Sequence, residues 1–171
     1  AGDTISVTMP TGEVLTTVVK PDGSWSVTPT LPLPDGPANL PVTATDPAGN
    51  SSSATVPVTI DTVPPVPTIT LNPNLTADDV INALEATQPV AVTGNVGGDA
   101  KVGDIVTISV NGKTFTGTVQ ADKTFSINVP GADLLAESGK KVDARVDTQD
   151  VAGNSGFATA SDSYSIDITP P

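Results

Sequence analysis

Apolar and polar positions alternate with a period of two in seven stretches of the chain's second half. Ile69 and Leu71 come first, then Val90 and Val92, then Val106, Ile108 and Val110. Phe115 and Val119 follow, then Phe125, Ile127 and Val129, then Val142, Ala144 and Val146, and Ala158, Ala160, Tyr164 and Ile166 close the series. Successive side chains of a strand point to opposite faces, so each stretch predicts a strand with one buried face. Turn residues separate the stretches, and Asn111-Gly112 is the strongest hairpin signal because both residues accept positive φ. Thr76-Ala77-Asp78-Asp79, ahead of Val80, Ile81 and Leu84, has capping-box spacing and predicts a short helix between the first two strands. A helical turn is expected around Leu134-Leu135. Seven short strands without regular helical crossovers predict an antiparallel sandwich rather than a βαβ fold.

The pattern recurs. Gly2-Asp3 matches Gly103-Asp104, and Asp22-Gly23-Ser24-Trp25-Ser26-Val27 matches Asp122-Lys123-Thr124-Phe125-Ser126-Ile127. Asp46-Pro47-Ala48-Gly49-Asn50 matches Asp150-Val151-Ala152-Gly153-Asn154, and Asp61-Thr62-Val63-Pro64-Pro65 matches Asp167-Ile168-Thr169-Pro170-Pro171. The four separations are 101, 100, 104 and 106 residues, so small loop insertions account for the drift. One unit of about 106 residues suits an immunoglobulin-like sandwich. The chain therefore reads as all-β: tandem immunoglobulin-like Greek-key sandwiches, with residues 63–171 a complete repeat. Residues 1–62 begin at the counterpart of Gly103 and are expected to lack the first two strands. Trp25 and Phe125 are expected to anchor the two cores.

Composition narrows the function. The 171 residues carry 19 Asp and Glu against 7 Lys and Arg, a net charge of −12. Such a surface repels nucleic-acid phosphate and anionic lipid, and attracts cations. With no cysteine there are no disulfides and no thiol chemistry, and with no histidine there is neither imidazole ligation nor Ser-His catalysis. Trp, Tyr and Phe total five residues, too few for the aromatic-lined pockets of carboxylate enzymes. No apolar run reaches the roughly 20 residues of a membrane span. No signal peptide opens the chain, which therefore reads as part of a longer protein. A catalytic role is not expected, nor a small-molecule substrate.

Counting strand reversals places the acidic loops. The connections holding Asp99 and Asp104, and then Asp150, return to the end where the linker with Asp61 enters. Asp35, in the first repeat, is expected at the same junction. Carboxylates drawn together repel unless a cation reverses the interaction, and calcium accepts six to eight hard oxygens in loose geometry. Pro64, Pro65 and Pro67 would restrict the linker. Asp-x-Ala-Gly-Asn also builds a tight turn unaided, since Asp bonds its own backbone and Gly takes positive φ. Both readings stay open for Asp150 and for Asp46.

These landmarks resemble the bacterial Ig-like repeats of giant RTX-type adhesins and biofilm-associated surface proteins of Gram-negative bacteria. The resemblance is carried by Thr45-Asp46-Pro47-Ala48-Gly49-Asn50, Gln149-Asp150-Val151-Ala152-Gly153-Asn154, Ile60-Asp61-Thr62-Val63-Pro64-Pro65, Asp78-Asp79-Val80-Ile81-Asn82-Ala83 and Thr93 to Asp104. It implies extender modules at the extracellular bacterial surface, monomeric, with neighbouring repeats of the same chain as partners. It implies Ca2+ at the interdomain linkers, with Asp61, Asp99, Asp104 and Asp150 at one joint. Asp3 and Asp46 fall at the joint before it and Asp167 at the joint after. Two alternatives stand beside this reading: a module that itself binds a glycan, a surface or ice, and a spacer of a secreted glycan-active enzyme. The sequence shows neither an aromatic cluster nor a regular threonine ladder in favour of the former.

Overall fold

The computed structural model describes residues 1–169, and the chain forms two compact units, Ala1–Val63 and Pro64 onward. In the first unit, β1 (Thr4–Thr8), β2 (Val14–Val18), β3 (Gly36–Thr45) and β4 (Ser51–Ile60) form one antiparallel sheet in the order β2-β1-β3-β4. Its inward series is Ile5, Val7 and Met9, buried with Leu15, Val19, Val27, Leu33, Leu40, Val42 and Ala44 partly buried around them.

The second unit has two layers. One is a three-stranded sheet of β5 (Pro67–Leu71), β7 (Pro89–Gly98) and β10 (Thr124–Pro130), in the order β10-β7-β5. The other is β8 (Ile105–Val110), β9 (Lys113–Thr118), β11 (Lys141–Gln149) and β12 (Ser155–Ser163), in the order β12-β11-β8-β9. Inward residues of both sheets, among them Val92, Phe125, Ile108 and Val146, form one core between them. Phe125 is 1% exposed, and β7 makes room for it with Gly94 directly opposite. A Cβ at Gly94 would lie 2.6 Å from Phe125 Cζ and 2.1 Å from the Thr70 carbonyl oxygen, so any side chain there collides with the ring and the neighbouring strand.

The second unit contains all seven expected strands, and the connection between β5 and β7 departs from the expected pattern. No α-helix runs from Val80. Val80–Asn82 is instead a strand, β6, that pairs in parallel with β13 (Ser165–Asp167), the last part of the seventh predicted strand. The capping-box spacing serves a turn. Thr76 Oγ1 donates to Asp78 Oδ1 at 3.1 Å, Val80 N–H donates to Asp78 Oδ1 at 3.2 Å, and Asp79 takes φ +58°. Asp tolerates that left-handed conformation, which ends any helix before it starts. The helix in this connection is a single 3-10 turn, Glu85–Thr87. The expected turn around Leu134 is α1 (Gly131–Ala136). It packs so closely on the 3-10 turn that a Cβ at Gly131 would lie 2.0 Å from the Glu85 carbonyl oxygen. Tyr164 seals this end, donating its hydroxyl to the buried Leu134 carbonyl at 2.7 Å. Burial first, then the nearby Glu137 charge, push its phenol up to about 12.

Trp25 is not a core anchor. It is 40% exposed, and residues 24–35 have no regular secondary structure. Its counterpart Phe125 lies on β10, whose ladder runs along β7, and the first unit has no strand equivalent to β7.

Replacing Phe125 with Ala should cost the second unit about 3–5 kcal/mol. Tyr164→Phe, which strands the Leu134 carbonyl, should cost about 1–3 kcal/mol. Denaturant titration followed by circular dichroism measures both, and a Phe125→Ala midpoint equal to wild type would overturn the packing assigned to that ring.

Candidate functional site

The connections β7–β8 and β11–β12 meet at the end of the second unit where the polypeptide enters it. Val66 N–H donates to Asp99 Oδ2 at 2.8 Å and Asp99 N–H returns a bond to the Val66 carbonyl at 3.1 Å, tying the entering chain to the first acidic loop. Pro65 lies against Gly156 at the start of β12, where a Cβ would sit 1.9 Å from the Pro65 oxygen. Lys101 Nζ donates to the Gln149 carbonyl at 2.6 Å, joining the two connections. Asp99, Asp104 and Asp150 therefore stand at one end of this unit.

Two of these carboxylates, those of Asp104 and Asp150, are held by their own loops. Asp104 Oδ2 accepts from Lys101 N–H at 2.6 Å. Asp150 Oδ1 accepts from the N–H groups of Ala152 and Asn154, both at 2.9 Å, and its Oδ2 accepts from Asn154 Nδ2 at 2.9 Å. Gly153, at φ +97°, lets the loop close. The same turn recurs in the first unit, where Asn50 N–H and Nδ2 donate to the two oxygens of Asp46, each at 2.8 Å. The tight-turn reading of Asp-x-Ala-Gly-Asn thus describes both loops. It does not exhaust the carboxylates, because each ionised carboxyl offers about four acceptor positions.

The other acidic residues fall at the ends of their own units. Asp3 and Asp46 line one shallow concavity of the first unit, together with Asn50 and Ser51. At the unit's last strand, Asp35 Oδ1 accepts from Thr62 N–H at 2.6 Å and Thr62 Oγ1 at 2.8 Å, and Asp61 Oδ1 accepts from Val63 N–H at 3.1 Å. Asp167 Oδ1 accepts from Thr169 N–H and Oγ1 at 3.0 and 2.5 Å, while Pro170 and Pro171 lie outside the described residues. Among the described residues, no three acidic side chains come together as a metal-holding group. The donor chemistry suits a hard divalent cation, and assembly of a coordination shell would require the carboxylates to draw closer.

Three features carry no signal in sequence spacing. Lys101 and Lys123 place their ammonium groups on the carbonyls of Gln149 and Ala100, so oxygen donors at this end already collect cations. Thr148, 4% exposed, buries a hydroxyl without a partner among the described groups. On the outer face of the first unit's sheet, hydroxyls pair across strands: Thr43 Oγ1 with Ser53 Oγ at 2.9 Å, and Thr45 Oγ1 with Ser51 Oγ at 3.0 Å. Ser6 and Thr16 continue the first of these rows in register.

A family profile described as bacterial Ig-like domain matches residues 1–62. Among solved structures, a bacterial immunoglobulin-like domain from the M. primoryensis ice-binding adhesin is 42% identical; the match covers 61% of this chain and 98% of that one, with a TM-score of 0.54. This chain belongs to the bacterial Ig-like domains. A Ca2+-stabilized adhesin that helps an Antarctic bacterium reach out and bind ice is 39% identical over 98% of the chain, with a TM-score of 0.75. A 1.5-MDa bacterial ice-binding adhesin is 31% identical over 98%, with a TM-score of 0.63. The chain spans 41% and 54% of those two structures, so these bacterial Ig-like units correspond to part of each. No curated protein matches the sequence.

Hydrogen bonds to the ionised form hold two loop carboxyls below the usual range: Asp150 chiefly through the Asn154 side chain, and Asp46 through that of Asn50. A depressed carboxyl stabilises the fold above its unfolded value of about 3.9, and that contribution is lost as pH falls through the folded value. Carboxyl-carbon NMR titration should place both midpoints below 3.9, with amide protection factors in residues 150–154 falling only below that pH. A midpoint for Asp150 at or above 3.9 would contradict the turn geometry.

Proposed function

We propose that the chain is a structural extender of a large adhesin at the bacterial surface, outside the cell, and that it performs no catalysis. Its partners are neighbouring repeats of the same polypeptide, and Ca2+ at the linkers stiffens the array. The observation that carries this reading is the placement of Asp99, Asp104 and Asp150 on backbone-fixed loops around the entry of the second unit. Asp61 stands three residues before Pro64 in the chain. Likeness to a Ca2+-stabilized adhesin supports the same reading. Calcium would supply the positive charge that lets these oxygens share one small volume. Asp3 and Asp46 are assigned to the preceding joint and Asp167 to the following one.

This chain's part is to fix the oxygens in advance. The Asp150 turn and the reciprocal Asp99–Val66 bonds hold two carboxylates to backbone, which lowers the ordering cost of binding. Calorimetric melting of the full chain should give a higher Tm in calcium than in chelator, by an amount equivalent to about 2.7 kcal/mol when free calcium is a hundred times Kd. Magnesium should substitute poorly because it demands tighter octahedral geometry. Small-angle scattering should report a more extended particle with calcium. Identical melts and identical scattering under both conditions would remove calcium from the proposal.

A second reading rests on the in-register Ser6, Thr16, Thr43 and Ser53 hydroxyls: direct binding to a flat hydrogen-bonding surface such as ice. Thermal hysteresis in a solution of the chain, abolished by Thr43→Val, is its expected outcome, and absence of hysteresis rules it out.

A further inference from the structure

Of the chain's nine asparagines, three precede a glycine or serine: Asn50-Ser51, Asn111-Gly112 and Asn154-Ser155. Such pairs are the ones most prone to deamidate, because a small residue leaves its own backbone nitrogen open. That nitrogen gives its proton to solvent hydroxide and attacks the asparagine Cγ. The Cγ–Nδ2 bond breaks, and ammonia leaves with a proton taken from water. Water then opens the succinimide at either carbonyl, leaving aspartate or isoaspartate.

All three are held in the same way. Nδ2 donates to an aspartate in each case: Asn50 to Asp46 Oδ2 at 2.8 Å, Asn154 to Asp150 Oδ2 at 2.9 Å, and Asn111 to Asp133 Oδ1 at 2.9 Å. Each backbone N–H is bound to a carboxylate as well. Asn50 and Asn154 use the other oxygen of the same aspartate, at 2.8 and 2.9 Å, and Asn111 uses Glu137 Oε2 at 2.6 Å. Two of these arrangements are local turns, whereas the third spans 22 residues, from the β8–β9 hairpin to α1. Asn72 gives its amide to the Thr93 hydroxyl instead, and Pro73 after it has no N–H to lose.

We propose that these carboxylate clamps hold deamidation in check, and that Asn111 is the chain's modification site, the first to convert once its clamp is released. Attack requires Cγ to swing onto the following nitrogen, and an amide tied at both Nδ2 and N–H does not swing. The adjacent negative charge also disfavours the deprotonated nitrogen and the oxyanion that follows it. At Asn111 the attacking nitrogen is the least shielded, since Gly112 has no side chain and a Cβ there would meet nothing within 4 Å. Its clamp is also the most enclosed. Asp133 is 6% exposed, and its Oδ1 takes the Lys113 ammonium at 2.7 Å. Conversion would set a second carboxylate against Asp133, and isoaspartate would lengthen the backbone of the two-residue turn that fixes Val110 opposite Lys113.

Peptide mass spectrometry of the full chain, aged at neutral pH, reads each asparagine separately. Asp46→Ala should speed conversion severalfold at Asn50 alone, Asp150→Ala at Asn154 alone and Asp133→Ala at Asn111 alone, with Asn111 the fastest of the three. Each variant carries two untouched clamps as internal controls, and circular dichroism checks that it is folded. All arms are run in chelator, so the result does not depend on the calcium proposal. Should Asp133→Ala fail to fold, the two turn variants still decide whether the clamps protect, and Asp133→Asn, which keeps an oxygen acceptor without its charge, replaces it at Asn111. Conversion at wild-type rates in the clamp variants overturns the proposal, and so does an equal rise at all three asparagines, which would mark general unfolding. Unclamped Asn50 or Asn154 outpacing unclamped Asn111 overturns the choice of site.

Discussion

A β-sheet with one apolar face is stable only when something covers that face, and this requirement organises the whole chain. In the second unit the cover is a second sheet, and the two inward series interlock around Phe125 in one buried cluster. The same sheet in the first unit buries three side chains, Ile5, Val7 and Met9, and leaves β4 exposed from Ser51 to Pro57. Strand formation follows cover as much as sequence. Phe125 and Trp25 occupy matching positions in similar local sequence, yet only the one with a partner strand lies in a ladder.

The acidic loops illustrate a second economy. A carboxylate that accepts backbone N–H groups fixes a tight turn, and the same fixation holds its remaining lone pairs at a defined place on the surface. Asp46 and Asp150 do this with the same asparagine partner four residues on. With a net charge of −12 over the chain, such oxygens are surrounded by few competing cations. Lys101 and Lys123, which do reach the entry end of the second unit, spend their charge on carbonyls rather than on the aspartates.

The strands were legible because alternation survives in each of them. The lengths of β7, β10 and β11 leave room for three or four inward positions, enough for a period of two to stand out. The three-residue pair β6 and β13 offers only one inward position on each strand, so no period could reveal it. The helix expected at Val80 failed because a Thr-x-x-Asp spacing serves an Asp turn as readily as a helix cap. Only the positive φ of Asp79 separates the two, and that is a property of the folded backbone. Trp25 failed for a non-local reason, since the first unit has no strand equivalent to β7 for its segment to pair with. At the candidate site, the shared end of the second unit that Asp99, Asp104 and Asp150 occupy followed from counting reversals. The hydrogen bonds of Asp150, by contrast, depend on loop closure within a few ångström, which spacing does not encode.

The parallel pairing of β6 with β13 bears on how the second unit responds to a pull. The polypeptide enters beside the β11–β12 loop, and β12 and β13 run away from that end, so chain tension draws β13 along its own axis. Its bonds to Val80–Asn82 lie across that axis and must be strained together rather than peeled one at a time. A short clasp between β6 and β13 thus places resistance to shear near the end at which the polypeptide leaves this unit.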